Sequence, residues 1–107
     1  MFPSLSVGVT ALTASTATRD DLVRITLSGE IDASTADCVV TAVSDVLRSA
    51  SPTEIALDLA DVEFIDARGV TALMRVRTLA TDVGCVLRFD DAQPLVARVL
   101  QITGLLP

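Results

Sequence analysis

Six carboxylates, Glu30, Asp32, Asp58, Asp61, Glu63 and Asp66, fall near the ends of apolar runs, where an α/β chain brings strand ends together. Paired acids of this kind can serve as general acid and general base. The rest of a catalytic set is absent from the sequence. It has no His, so Ser-His and Cys-His nucleophile pairs cannot be built. No Gly-rich phosphate loop is present, and Asp66-Ala-Arg-Gly is not one. Asp32 and Asp66 together suit Mg²⁺ chemically, but each stands just before a helical pattern, where an acid caps exposed N–H groups. The residues therefore point to a non-enzymatic protein with no cofactor and no metal, and to strand-to-helix turns as its working surface.

The elements that must position those turns follow from periodicity. Ile55, Leu57 and Leu59 recur every second residue, a strand, whereas Val70, Leu73, Met74 and Arg77 recur at three and four, a helix running to about Thr81. Asp66 is placed to close the turn between them. Upstream, Val23, Ile25 and Leu27 alternate with Arg24, Thr26 and Ser28 in a half-buried strand that Gly29 interrupts. The set Ala36, Val39, Val40, Val43, Val46 and Leu47 forms one helical stripe, with Ser34 and Asp37 spaced as a capping box and Pro52 beyond its end. Cys85, Leu87 and Phe89 read as another strand. Pro94 opens a last helix with Leu95, Val96, Val99 and Leu100 inward, stopped by Gly104. Val7, Val9 and Ala11 read as a short first strand at a sheet edge, and Thr13 to Asp21, without apolar period, as a mobile hairpin loop.

The order is β-β-α-β-α-β-α. Strand-helix-strand passages of this length make right-handed parallel crossovers, and the first two strands are close enough for an antiparallel hairpin. The expectation is a single α/β domain over residues 1–107. It has one layer of four to five mixed strands, with helices mainly on the face of Val23, Ile25, Leu27, Ile55 and Leu57.

Composition narrows the partners. The formal charge is -6, and the eight basic residues are all Arg, so nucleic acid and anionic membrane are poor partners. No run is long enough to span a membrane and the N-terminus lacks a signal-peptide pattern, so the expected location is cytoplasmic. Cys38 and Cys85 have no metal-like spacing and are expected to be free buried thiols.

Two stretches carry a resemblance. Ile25-Thr-Leu-Ser-Gly-Glu-Ile-Asp32-Ala-Ser-Thr, followed by Ile55-Ala-Leu-Asp-Leu-Ala-Asp-Val-Glu-Phe-Ile-Asp66-Ala-Arg-Gly69-Val, resembles the STAS domain of bacterial anti-sigma-factor antagonists. The closing Val96-to-Leu105 stretch is similar to that family's last helix. The resemblance covers nearly the whole chain. It implies a protein that binds an anti-sigma factor, often a switch kinase, and so releases a sigma factor for transcription. It also implies a contact surface of Asp32, Ser34, Asp66, Ala67, Arg68 and Gly69.

Family members commonly read Asp-Ser-Ser-Gly at the helix start, with a serine that the kinase phosphorylates. Here Ala67 and Arg68 stand instead, a fixed cation where a phosphate would bring about -1.5 to -2 charge. Binding is then either constitutive or controlled through another hydroxyl: Thr71, Ser34 or Thr35. Arg68, unfavourable against the helix dipole, is expected to pair with Asp66, Glu63 or a partner carboxylate. The alternatives are a STAS domain sensing a nucleotide or other small ligand, and a scaffold subunit of a signalling assembly. The expected oligomeric state is a monomer or weak homodimer.

Overall fold

The computed structural model describes residues 12–107. The stretch of Val7, Val9 and Ala11, read above as a strand, lies outside the described residues. Seven elements follow in the order β1 (Thr13–Arg19), β2 (Leu22–Ile31), α1 (Ala36–Ala50), β3 (Glu54–Ile65), α2 (Ala67–Asp82), β4 (Val86–Asp90) and α3 (Pro94–Ile102). The four strands form one sheet in the order β1-β2-β3-β4. β1 and β2 are antiparallel, and β2, β3 and β4 are parallel.

The alternation in β2 decides which face is covered. Val23, Ile25 and Leu27 are buried together with Ile55, Leu57, Leu59, Leu87 and Phe89 of the neighbouring strands. Val39, Val43 and Val46 of α1, Val70, Leu73, Val76 and Ala80 of α2, and Val96 and Leu100 of α3 complete the same core. The other face holds the residues between them. There Arg24 is hydrogen-bonded to Asp58 at 3.0 Å and to Asp90 at 3.2 Å, and Arg88 pairs with Glu54 and Asp90. Small Ala56, in register between Arg24 and Arg88, is fully buried beneath this charged layer. Helices on one face and a network of opposite charges on the other let a single sheet layer remain half open.

Five expectations need correction. The stretch Thr13–Asp21 is not a loop: Thr13–Arg19 is a regular strand and only Asp20 and Asp21 turn. Its residues are exposed on both faces, so no apolar period was available to mark it, although Thr13, Thr16 and Thr18 are β-branched and suit a strand. Gly29 does not end β2. It takes φ +124 inside the strand, between register shifts at Thr26/Ser28 and Gly29/Glu30, and pairing resumes to Ile31. β3 likewise continues through Ala60–Ile65, leaving Asp66 alone to make the turn. On α2 the buried stripe is Gly69, Val70, Ala72, Leu73, Val76 and Ala80, whereas Met74 and Arg77 face outward. Cys85 is buried as expected but Cys38 is exposed on α1, both as free thiols.

Candidate functional site

The two strand-to-helix turns meet at one end of the sheet. β2 and β3 run side by side to Ile31 and Ile65, which are register partners. The ladder gains one more rung where the Asp66 N–H donates to the Ile31 carbonyl at 3.2 Å. Both chains then leave the sheet together, β2 into Asp32–Thr35 and β3 into α2.

Asp66 is the N-cap of α2, with extended backbone (φ -111, ψ -173), and its carboxylate accepts from the Gly69 N–H at 2.9 Å. The three residues that follow divide by exposure. Ala67 and Arg68 are exposed and form the tip, whereas Gly69 is buried against Ile31. Gly69 thus supplies close packing rather than a contact side chain.

The β2–α1 turn is built differently from the capping box its sequence spacing predicts. Thr35, not Ser34, precedes the helix, and no side chain caps α1 from there. The Asp32 carboxylate instead accepts from the Ser34 hydroxyl at 2.7 Å and the Ser34 N–H at 2.9 Å. Thr35 locks the turn from beneath: its buried hydroxyl donates to the Glu30 carbonyl at 2.7 Å and accepts from the Asp32 N–H at 2.9 Å. Asp and Ser side chains commonly fold turns this way, which is why the spacing alone misled. The Ser34 hydroxyl, with help from the backbone N–H groups of Ser34 and Thr35, holds the Asp32 carboxyl below its ordinary pKa against a smaller opposing effect of burial.

The other expected residues are placed as follows. Thr71 is exposed and its hydroxyl donates to the Ala67 carbonyl at 3.0 Å, one turn back in α2. Thr35 is 5 % exposed with its proton committed, so of the three candidate phosphate acceptors only Ser34 and Thr71 are open to solvent. Arg68 forms no ion pair with Asp66 or Glu63. It lines a shallow groove between α1 and α2 with Ala33, Ala36, Asp37, Val40, Thr71, Ala72 and Arg75. Arg75 was not singled out in the sequence. Its signal was its position seven residues after Arg68, two helical turns on and therefore on the same side.

The six acids do not converge. Asp58 is committed to Arg24 on the open face, while Asp32 and Asp66 hold their own turns. Among the described residues no group of three or more His, Cys, Asp and Glu is arranged to hold a metal ion. Also among these residues, no helix is long and apolar enough to cross a membrane. The groove between α1 and α2 measures about 210 Å³, below the 300–1,000 Å³ or so usual for small-molecule pockets.

A mixed four-stranded sheet covered by three helices, with its capped helix tip fused to the neighbouring turn, has the architecture of a STAS domain. The family model described as Mlab, STAS domain matches residues 14–106, and the chain belongs to that family. An anti-sigma factor antagonist from Mycobacterium paratuberculosis has the same fold with a TM-score of 0.73 at 28% identity, over 89% of this chain and 80% of that one. The anti-sigma factor antagonist SpoIIAA of Bacillus, in its unphosphorylated form, gives 0.73 at 24% identity over 89% and 82%. A sulfate transporter family protein from Wolinella succinogenes gives 0.71 at 20% identity over 83% and 71%. The last two likenesses concern the fold alone. No curated protein matches the chain in sequence.

Proposed function

We propose that this STAS domain is an anti-sigma-factor antagonist. It docks an anti-sigma factor onto the surface made by the Asp32–Ser34 turn and the α2 tip, Asp66–Arg68, and so frees a sigma factor for transcription. The observation that carries the proposal is the joining of the two turns. Asp66 N–H on the Ile31 carbonyl, and Gly69 against the same residue, hold an exposed tip beside an exposed turn in one fixed arrangement. A preorganised surface of this kind loses little entropy on docking and needs no deep pocket. The likeness to the mycobacterial antagonist supports the same role.

The tip has no hydroxyl at 67 or 68, so the release step used by relatives with a tip serine is missing at these positions. Binding is constitutive with respect to them, and Arg68 offers its charge to a partner carboxylate. The role is regulatory rather than catalytic. A nucleotide-sensing role is disfavoured by the small groove.

The test is titration calorimetry of the purified chain with the anti-sigma factors of its source cell and, separately, with nucleotides. Saturable binding to an anti-sigma factor that weakens with Arg68→Glu or Asp32→Ala supports the proposal. Tight nucleotide binding with no anti-sigma partner would overturn it.

A further inference from the structure

The outer edge of β1 is a row of backbone N–H and C=O groups with no partner among the described residues. Its inner edge pairs with β2 without a shift from Thr13↔Ser28 to Arg19↔Leu22, so the strand is regularly paired and free of bulges for all seven residues. Strands in this position normally carry a guard against further pairing: a charge, a proline, a bulge or a covering element. From Thr13 to Thr18 β1 has neither charge nor proline nor bulge, and every residue is exposed. The opposite edge of the sheet is different. β4 is five residues long, carries Arg88 and Asp90 paired along it, and is followed by Asp91 and, at the start of α3, by Pro94.

We propose that β1 pairs with β1 of a second copy of this chain, antiparallel about a two-fold axis at Thr16. In that register Thr16 meets Thr16, Ala14 meets Thr18, Ser15 meets Ala17 and Thr13 meets Arg19. The first two pairs lie on the helix-bearing face, because Ala14, Thr16 and Thr18 stand opposite Leu27, Ile25 and Val23. Threonine pairs are favourable across antiparallel strands, and no side chain from 13 to 18 is large enough to hinder backbone approach. The charges also agree. Arg19, the one charge in the strand, meets an uncharged residue, so a chain of net charge -6 brings no like charges face to face along this seam.

Closure explains why the second copy, rather than an unlimited stack, is the occupant. Among the described residues each molecule has one unguarded edge, and isologous pairing joins the two, leaving an eight-stranded sheet that ends on two guarded β4 edges. The two-fold reverses strand direction. The two α2 tips therefore sit at opposite ends of the assembly, each free to receive a partner.

Sedimentation equilibrium of the full chain over roughly 1 to 200 μM tests the pairing. The expected result is a mass rising from one chain to two. Thr16→Lys, on a side chain exposed in the monomer, sets two ammonium groups together on the axis and is expected to weaken dimerisation at least ~10-fold, with thermal unfolding unchanged at concentrations where both chains are monomers. A single-chain mass throughout, or a dimer indifferent to Thr16→Lys, would sink the proposal. So would a monomer whose outward β1 amides resist hydrogen exchange, because residues 1–11 of the same chain would then be the cover. None of these readouts uses an anti-sigma factor, so the pairing and the docking role stand or fall separately.

Discussion

The carbonyl oxygen of Ile31 occupies the space that a side chain on Gly69 would need: a Cβ there would lie 2.3 Å from that oxygen and 2.7 Å from Ile65 Cγ1. This contact sets how closely the first turn of α2 approaches the end of β2. The same carbonyl accepts the Asp66 N–H, so one backbone group fixes both the helix tip and the turn beside it.

Gly69→Ala should therefore act on stability and on docking together. The obstructing atom is backbone, which cannot rotate away, so α2 must shift. Forcing a methyl into such a space costs about 1–3 kcal/mol, read as a lower urea midpoint. Partner affinity should fall as well, because the tip moves relative to Asp32. Thr71→Ala, on the exposed side of the same helix, should leave the midpoint nearly unchanged.

Asp66→Ala should remove the cap on the Gly69 N–H and lower unfolding free energy by about 1 kcal/mol. Asp66→Asn keeps an acceptor in the same place and should recover most of that loss in the same urea titration. A variant pair with equal losses would mean that the charge, not the hydrogen bond, is what the helix start requires.

Most of the core was legible in the sequence because burial there follows simple periods. Val23, Ile25 and Leu27 alternate, Val39, Val43 and Val46 repeat by helical turns, and Asp66 stands where a cap is needed. Four features were not legible, each for its own reason. β1 is exposed on both sides and has no apolar rhythm. Gly29 reads as a break in sequence but as a bulge in a sheet whose partner strand continues beside it. The turn at Asp32 has two chemically reasonable solutions, a Ser34 cap or an Asp32-centred turn, and the burial of Thr35 selects the second. The groove flanked by Arg68 and Arg75 depends on how α1 and α2 approach one another, which periodicity within a single helix cannot reveal.

Ser34→Ala should change the pH dependence of stability. The Asp32 carboxyl is depressed in the folded chain, chiefly by the Ser34 hydroxyl. A depressed folded-state pKa contributes stability above the ordinary carboxylate value and loses it as pH falls through the folded value. Wild type should accordingly be more stable than Ser34→Ala at neutral pH, and the difference should shrink in acid. Carboxyl ¹³C titration should show the Asp32 pKa moving up toward normal in the variant.

Arg24 on β2 joins three acids, Asp58 of β3 at 3.0 Å, Asp90 of β4 at 3.2 Å and Asp91 just beyond it at 3.1 Å. Arg24→Ala would leave these carboxylates without their shared cation and uncover Ala56. The variant should be less stable than wild type at neutral pH and low salt. Added salt should recover part of the loss by screening the acids from one another. Urea midpoints at low and high ionic strength check this, and a deficit unaffected by salt would assign Arg24 a packing role alone.

Arg68 bears most directly on the docking proposal. Reversing its charge with Arg68→Glu adds an acid to a tip that already holds Asp66 and should weaken partner binding by roughly 10- to 100-fold, about 1.4–2.7 kcal/mol. The helix itself should not suffer, because an acid in the first turn suits the dipole better than a cation does. Stability and affinity should thus move in opposite directions, which a merely structural arginine would not produce. Arg68→Ser asks the complementary question by restoring a hydroxyl at the tip. With a partner that is a kinase and with ATP present, the variant should take up phosphate at position 68 and then dissociate, while the native chain stays bound. Phosphate on the native chain under the same conditions, located by mass spectrometry at Ser34 or Thr71, would show that control has moved rather than disappeared.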